Sequence, residues 1–182
     1  VAAAATALSL PVALLLALAL ARGRWPGKAA LDAVVHLPLV LPPVVIGYAL
    51  LVAFGRHGPL GRWLHEWFGI TFVFTFRGAV LAAAVMSLPL MVRAVRQALE
   101  AVDHGLEDAA RSLGASRLDA FATVTLPLAG PGLLSGAVLG FAAALGEFGA
   151  TITFVSNIPG ETRTLPLAIY TALQSADGER AA

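Results

Sequence analysis

Cysteine is absent from this chain of 182 residues, and charged residues are scarce. Without cysteine the chain has no disulfide, no thiolate metal ligand and no cysteine nucleophile. Charged side chains make up 13% of the sequence, about half the fraction found in a typical soluble domain. The only lysine, Lys28, is followed by alanine, so the phosphate-binding pattern G-x-x-x-x-G-K-[ST] does not occur. A soluble domain, a thiol-based site and an ATP-hydrolysing site are therefore all disfavoured.

Apolar residues dominate the sequence instead. They form 58% of it, the mean hydropathy is +0.82, and the net charge is only +1. No basic run occurs that would suggest nucleic-acid binding. The length fits one domain. We predict an all-α fold, a single transmembrane domain over residues 1–182 in which several helices form a polytopic bundle.

Long apolar segments predict four spans in this bundle, at residues 2–21, 31–54, 78–99 and 131–155. The first has about the length needed to cross a bilayer. A signal peptide is the alternative, but its basic residues would precede the apolar run, whereas Arg22, Arg24 and Lys28 follow it. The second segment contains Pro42 and Pro43, so we expect one kinked span that packs inside the bundle.

A polar segment, residues 105–130, separates the last two spans. Its first part predicts a short amphipathic helix. The apolar face would carry Leu106, Ala109, Ala110 and Leu113, and the polar face Glu107, Asp108, Arg111 and Ser112. On that polar face Glu107 and Arg111 are spaced for an ion pair.

The same segment predicts an elbow and a second helix. Gly114 follows the last periodic residue, where a helix can end in a left-handed conformation. Ser116 and Asp119 form a capping-box pattern that begins the next helix. That helix should stop before Pro127, because proline disfavours helical geometry at Leu126. We therefore expect a helix, a tight elbow and another helix.

One motif in this segment indicates a family. It consists of Asp108-Ala109-Ala110, Gly114, Val124 and Leu126-Pro127. In this motif the chain resembles the membrane permease subunits of ABC importers, whose signature is Glu-Ala-Ala, three residues, Gly, nine residues, Ile, one residue and Leu-Pro. Every spacing is kept, with Asp in place of Glu and Val in place of Ile.

The resemblance implies that residues 107–114 are the coupling helix, which in that family docks into a groove on the ATPase subunit. The residues it implies for this coupling are Glu107, Asp108, Ala109, Ala110, Gly114, Leu126 and Pro127. A surface helix without a partner is the alternative. It would explain the amphipathic pattern but not the glycine and the Leu-Pro pair at fixed offsets.

Glycines recur every four residues in the fourth predicted span. Gly132, Gly136 and Gly140 form a stripe of small residues, the pattern that lets two membrane helices approach closely. We therefore assign these three glycines to helix packing.

Glu147 is the ionisable residue of that span. It follows Gly140 by seven residues, which places both on the same side of a continuous helix. An ionisable side chain within a span is costly and by default indicates function. We assign the gate or translocation path to Glu147 with Gly146, Gly149 and Thr151. The alternative is a glutamate that only fastens helices through hydrogen bonds.

A second resemblance concerns the substrate. Residues 144–151, 157–160 and 164–170 are similar to the permeases for tetrahedral oxyanions, and residues 36–43 and 58–61 bring the chain closest to molybdate permeases. Sulfate permeases share Gly-Glu-Phe-Gly-Ala, here residues 146–150. Molybdate is therefore the substrate implied, with sulfate, thiosulfate and tungstate as alternatives. The family also implies a final span beyond the sequence.

The resemblance implies a set of partners as well. These are a dimer of ATPase subunits that bind ATP-Mg, a second copy of the permease, a periplasmic or surface oxyanion-binding protein, and the lipids of a bacterial or archaeal cytoplasmic membrane. The chain itself would carry no cofactor. Because no Arg or Lys lies in the middle of a span, we assign selectivity to the binding protein.

The distribution of basic residues gives the orientation. With residues 105–130 in the cytoplasm, seven basic residues are inside and four outside, as the positive-inside rule requires. Those inside are Arg22, Arg24, Lys28, Arg93, Arg96, Arg111 and Arg117, and those outside are Arg56, Arg62, Arg77 and Arg163.

A passive channel and an intramembrane hydrolase are the rival functions. Ser135 lacks the upstream glycine of a nucleophile motif, and every histidine lies at or outside a membrane edge. His57 and His65 are too isolated from a third ligand to predict a metal site. We therefore expect a transport subunit and not an enzyme.

Overall fold

The computed structural model describes residues 1–23 and 25–181, with side chains described up to Ser175. Its regular elements are α1 (Ala2–Arg22), α2 (Lys28–Val40), α3 (Pro43–Phe54), α4 (Pro59–Phe68), α5 (Phe76–Glu100), α6 (His104–Ser112), α7 (Arg117–Ala120), a π-helical turn (Phe121–Thr125), α8 (Leu126–Gly146), α9 (Gly149–Val155) and α10 (Leu165–Ala181). The described residues form helices and loops without strands, so the all-α prediction is confirmed. The predicted cytoplasmic position of Arg24 lies outside the described residues.

Three helical segments are long and apolar enough to cross a membrane: Ala2–Arg22, Phe76–Glu100 and Arg117–Gly146. They pack against one another, and α5 makes the more extensive contacts with both α1 and α8. The bundle side of α1 is a stripe of small buried residues, Ala5, Ser9, Ala13 and Ala17, whereas leucines such as Leu8 and Leu15 face outward. Small residues inside and large apolar residues outside are typical of helices that associate within lipid.

The glycine stripe of α8 lies against α5. A Cβ atom added at Gly132 would lie 2.1 Å from the Ala98 Cβ, and one at Gly140 would lie 2.4 Å from the Met91 side chain. At Gly136 it would be 3.1 Å from Val95. At Gly132 and Gly140 a larger side chain would therefore overlap α5 unless the helices shifted, whereas at Gly136 it would fit tightly.

The segment predicted as one kinked span, residues 31–54, is divided. α2 and α3 meet at 117°, and Leu41 and Pro42 between them are extended, with ψ angles of 143° and 138°. The cause is the Pro42-Pro43 pair, because a residue before proline is pushed out of the helical region. Two helices at a sharp angle therefore stand where a kinked helix was predicted, and α3 packs against α9 through a cluster that includes Leu50 and Phe154.

The fourth span also differs from its prediction of residues 131–155. Helical structure runs from Arg117 to Gly146 and then breaks at Glu147 and Phe148 before α9. Leu126 keeps helical angles although proline follows it. The π-helical turn directly before it accommodates Pro127 in the first turn of α8, where the missing N–H is tolerated. The expected stop before Pro127 was therefore wrong.

Candidate coupling and gating sites

The amphipathic segment forms α6, which has a cap at each end. The Asp103 carboxylate accepts a hydrogen bond from the Gly105 N–H at 2.8 Å. At the other end the N–H groups of Ala115 and Gly114 donate to the carbonyls of Ala110 and Arg111, both at 3.1 Å. Gly114 has a φ of +100°, so the predicted left-handed elbow is confirmed. The pair of hydrogen bonds is a Schellman motif and fixes where the helix ends.

The predicted capping box begins the next helix. The Ser116 hydroxyl accepts from the Asp119 N–H at 3.1 Å, and the Asp119 carboxylate accepts from the Ser116 N–H at 3.3 Å. This reciprocal pair satisfies N–H groups that the first turn leaves without helical partners. The elbow is therefore held on both sides by local hydrogen bonds.

Glu107 is the residue of the predicted polar face of α6 that turns toward the protein. Its side chain is 16% exposed, whereas Asp108, Arg111 and Ser112 of the same face are exposed. On the predicted apolar face Leu106 is 48% exposed and Leu113 88% exposed, and Leu118 beyond the elbow is 80% exposed. The amphipathic pattern predicted the helix correctly, but the burial of Glu107 depends on partners outside the helix.

The predicted pair of Glu107 and Arg111 does not form. Arg111 contacts Asp108 instead, at 3.6 Å, whereas Glu107 pairs with Arg22 at the end of α1. The Arg22 Nη2 and the Thr125 hydroxyl both donate to Glu107 Oε1. Sequence spacing could not reveal Arg22, because 85 residues separate it from Glu107.

The surroundings of Glu107 combine burial with strong donors. Burial raises the pKa of Glu107, but the hydrogen bonds from Thr125 and Arg22 and the charge of Arg22 outweigh it, so the pKa lies below the usual glutamate value. The Arg22 guanidinium also lies over the Phe121 ring, 5.6 Å from its centroid. Phe121 and Thr125 both belong to the π-helical turn.

The remaining members of the motif lie around this pair. Asp108 and Ala109 are exposed, and Ala110 is half-buried. Leu126 and Pro127 follow Thr125 directly and form the start of α8. The motif therefore links the exposed helix to the base of a membrane-spanning helix.

Glu147 lies at the break after α8 and not within a continuous helix. Its backbone is extended, with a ψ of 128°, so its predicted position on the glycine face of the span was wrong. The side chain turns onto the start of α9, where its carboxylate accepts from the N–H groups of Ala150 at 2.7 Å and Thr151 at 2.9 Å. The Thr151 hydroxyl donates to it as well. Glu147 is thus a buried cap of α9.

The two breaks in the membrane helices are adjacent. A Cβ atom added at Gly149 would lie 2.8 Å from the Pro43 Cβ, and one at Gly47 would lie 2.6 Å from the Ala150 carbonyl. The first turns of α3 and α9 are therefore in direct contact. Of the predicted gating residues, Glu147 and Thr151 meet in this buried region, whereas Gly146 is exposed.

Comparison with known proteins gives one family. Residues 9–177 match the model of "Binding-protein-dependent transport system inner membrane component". The chain is 63% identical over 182 residues to the "Molybdenum transport system permease protein ModB" of Escherichia coli K12, covering all of this chain and 80% of that protein. Proteins of the same name in Haemophilus influenzae and Azotobacter vinelandii are 57% and 44% identical, over 94% and 91% of this chain and 75% and 73% of their own lengths.

Proposed function

The chain belongs to the family of inner membrane components of binding-protein-dependent transport systems, and we propose that it is the permease subunit of an ATP-driven importer of molybdate. The 63% identity to a molybdenum transport permease over the whole chain supports the substrate. The capped helix α6, with its exposed leucines and its inward glutamate, is the structural observation that carries the coupling role.

The exposed apolar surface of the elbow, formed by Leu106, Leu113 and Leu118, is the contact that we propose for the ATPase subunit. Leu106 and Leu113 precede the segment Arg117–Gly146 that can cross the membrane, and Leu118 lies in its first turn, where we expect water to surround these side chains in the absence of a partner. We propose that these leucines together form one apolar patch, because contiguous exposed apolar patches mark sites of interaction with other proteins. The caps at both ends of α6 support this role, because a preorganised surface loses little conformational entropy on binding.

Transport itself requires further subunits in this proposal. A separate ATPase dimer hydrolyses ATP-Mg, a second copy of the permease completes the path, and an oxyanion-binding protein delivers the substrate. ATP binding closes the ATPase subunits and moves α6, so that the spans open outward. Because no Arg or Lys lies in the middle of a span, the path is built from small residues and water, and selectivity lies with the binding protein.

We propose the adjacent breaks around Glu147 and Pro43 as the gate. Helices that are interrupted within a membrane are typical of transport paths, since the freed backbone groups can line a cavity. Hydrogen bonding by Glu147 holds α9 in one direction relative to α8, and a change in that cap would let the break open or close.

Reconstitution tests the function directly. Vesicles that contain this permease and its ATPase, with the binding protein outside, should take up labelled molybdate only when ATP is enclosed in the lumen, on the cytoplasmic side of the permease. Excess sulfate, thiosulfate or tungstate should each be added as a competitor. Stronger competition by sulfate than by unlabelled molybdate would reassign the substrate, and uptake without ATP would favour a passive channel.

Cysteine labelling tests the orientation, and the chain offers a clean background because it has no cysteine. Ser116 and His57 are both exposed. We expect Ser116→Cys to react only from the cytoplasmic side and His57→Cys only from the outside. The reverse pattern would contradict both the topology and the proposed ATPase contact.

A further inference from the structure

We propose that Glu107 is the joint through which movement of α6 reaches α1 and α8 together, acting through Arg22 and Thr125. The inference rests on the proposed function, because it concerns how an ATPase-driven movement of α6 enters the membrane. Glu107 would be a positioning residue, since it contacts neither the substrate nor the nucleotide in this proposal.

Few side-chain contacts attach α6 to the membrane helices. None of the residues of α6 is buried, so little apolar packing holds this helix. Among the described residues, the side-chain hydrogen bonds and ion pairs that α6 makes with other helical segments are all made by Glu107. α5 is joined to α6 directly through residues 101–103, whereas force on α6 reaches α1 and α8 mainly through this side chain and through the backbone of the elbow.

A single atom, Glu107 Oε1, accepts hydrogen bonds from two membrane helices. Arg22 is the last residue of α1, where a positive charge also interacts favourably with the helix dipole. Thr125 is fully buried in the π-helical turn at the base of α8. Both donate to Glu107 Oε1, and the Arg22 Nη2 also lies 3.4 Å from the Thr125 hydroxyl. A displacement of Glu107 is thus resisted by both helices.

Burial distinguishes this contact from an ordinary surface ion pair. The side chains of Arg22 and Glu107 are 30% and 16% exposed, and the Arg22 Nε is buried with no hydrogen-bond partner among the residues that the structure describes. Exposed pairs contribute little because water screens them. Here the loss of one partner leaves the other charge partly buried and unpaired, which is much less favourable than keeping the pair.

The position of the joint suits the transmission of movement. α1 and α8 pack against α5 and against each other, so a pull on Glu107 would act on two helices that share one bundle. The π-helical turn lies between the elbow and α8, and such turns are frequent at functional sites. The joint therefore connects the capped elbow to the π-helical base of α8.

The test uses the reconstituted complex with ATP hydrolysis and molybdate uptake measured side by side. In Glu107→Gln and Arg22→Gln we expect ATPase association and hydrolysis to persist while the molybdate taken up per ATP falls about tenfold, in the range of coupling energies for contacting pairs. Glu100→Gln is the matched control, since Glu100 pairs with Arg96 at 2.8 Å within α5 and should leave uptake unchanged.

Charge reversal separates the pair from a general structural role. The double variant Arg22→Glu with Glu107→Arg should recover much of the uptake, because the Thr125 hydroxyl can donate or accept a hydrogen bond. Failure to recover would overturn the inference. If the single variants do not accumulate in membranes, Thr125→Val decides, since it keeps the ion pair and removes only the hydroxyl. Reduced uptake per ATP would support the joint, and wild-type coupling would overturn it.

The two hypotheses fail in different ways. If wild-type complexes show no ATP-dependent molybdate uptake, the proposed function is wrong. If the wild type transports molybdate, and Glu107→Gln behaves like Glu100→Gln, the importer stands and the joint is wrong.

Discussion

The two ends of α8 each have a glutamate that accepts a hydrogen bond from a threonine hydroxyl, but the glutamates are held in different ways. At the start, Glu107 meets Thr125 and the guanidinium of Arg22. After the end, Glu147 meets Thr151 and backbone N–H groups of α9. A carboxylate that binds a distant cation connects separate helices, whereas one that binds nearby amides sets the local direction of the chain.

The difference follows from what surrounds each end. α1 ends beside the base of α8 and supplies Arg22 there. Glu147 forms no ion pair within the described part of the chain, and its partners are the free N–H groups at the start of α9, which carry partial positive charge. The first arrangement transmits force between helices, and the second stabilises a bend.

The largest effect should follow from removing the buried cap. Glu147→Ala leaves the N–H groups of Ala150 and Thr151 without acceptors, and each buried unsatisfied group costs roughly 1–3 kcal/mol. We expect lower thermal stability in detergent and faster hydrogen exchange over residues 149–155. Glu161→Ala, at an exposed loop position, is the control, and equal exchange in both variants would contradict the cap.

The Glu147→Gln variant tests whether Glu147 has a gating role in addition to its role as a cap. Gln keeps one acceptor oxygen, but its NH2 group would face an N–H donor, so one hydrogen bond should be lost. We expect the protein to insert and assemble while ATP hydrolysis is uncoupled from oxyanion uptake. Wild-type hydrolysis and uptake would defeat the gating role and leave Glu147 as a structural cap.

A smaller effect should follow at the elbow. Gly114→Ala forces a side chain into a conformation with a φ of +100°, at a cost of about 1–2 kcal/mol. We expect weaker association with the ATPase, measured by copurification. Gly130→Ala is the matched control, because an added Cβ at Gly130 has nothing within 4 Å and alanine favours the helix. The elbow interpretation requires Gly114→Ala to weaken copurification with the ATPase and Gly130→Ala not to weaken it.

Exposed and buried caps can also be compared. Ser116 begins α7 in water, so its loss should cost about 1 kcal/mol, as for other N-caps. We expect Ser116→Ala to increase hydrogen exchange over residues 117–120 without changing that of α9. A loss of stability as large as that of Glu147→Ala would mean that burial does not distinguish the two caps.

The smallest effect concerns pH at the start of α8. Because the pKa of Glu107 is lowered, its contact stabilises the fold above the ordinary glutamate pKa of about 4.3 and is lost as the pH falls through the lowered value. The protection of α6 against hydrogen exchange, corrected for the intrinsic pH dependence of exchange, should therefore stay constant between pH 8 and pH 6 and fall only in acid. In Glu107→Gln this acid-dependent loss of protection should be much smaller.

Local chemistry explains which features could be predicted from residues alone. The left-handed Gly114 and the box of Ser116 and Asp119 depend on hydrogen bonds between residues a few positions apart, so their spacing was sufficient. The same holds for the apolar helices, whose length and composition can be counted. The motif from Asp108 to Pro127 added the family, because its spacing is preserved.

The orientations of the elements could not be obtained in this way. The helices, the elbow and the transport family could be predicted from the residues alone, because each depends on residues that are close together or on a spaced motif. Packing in three dimensions was needed to place Glu107 against Arg22, to set the angle of 117° between α2 and α3 and to make Glu147 a cap of α9. Each of these depends on which surfaces pack together, and packing brings together residues whose separation along the chain carries no local signal.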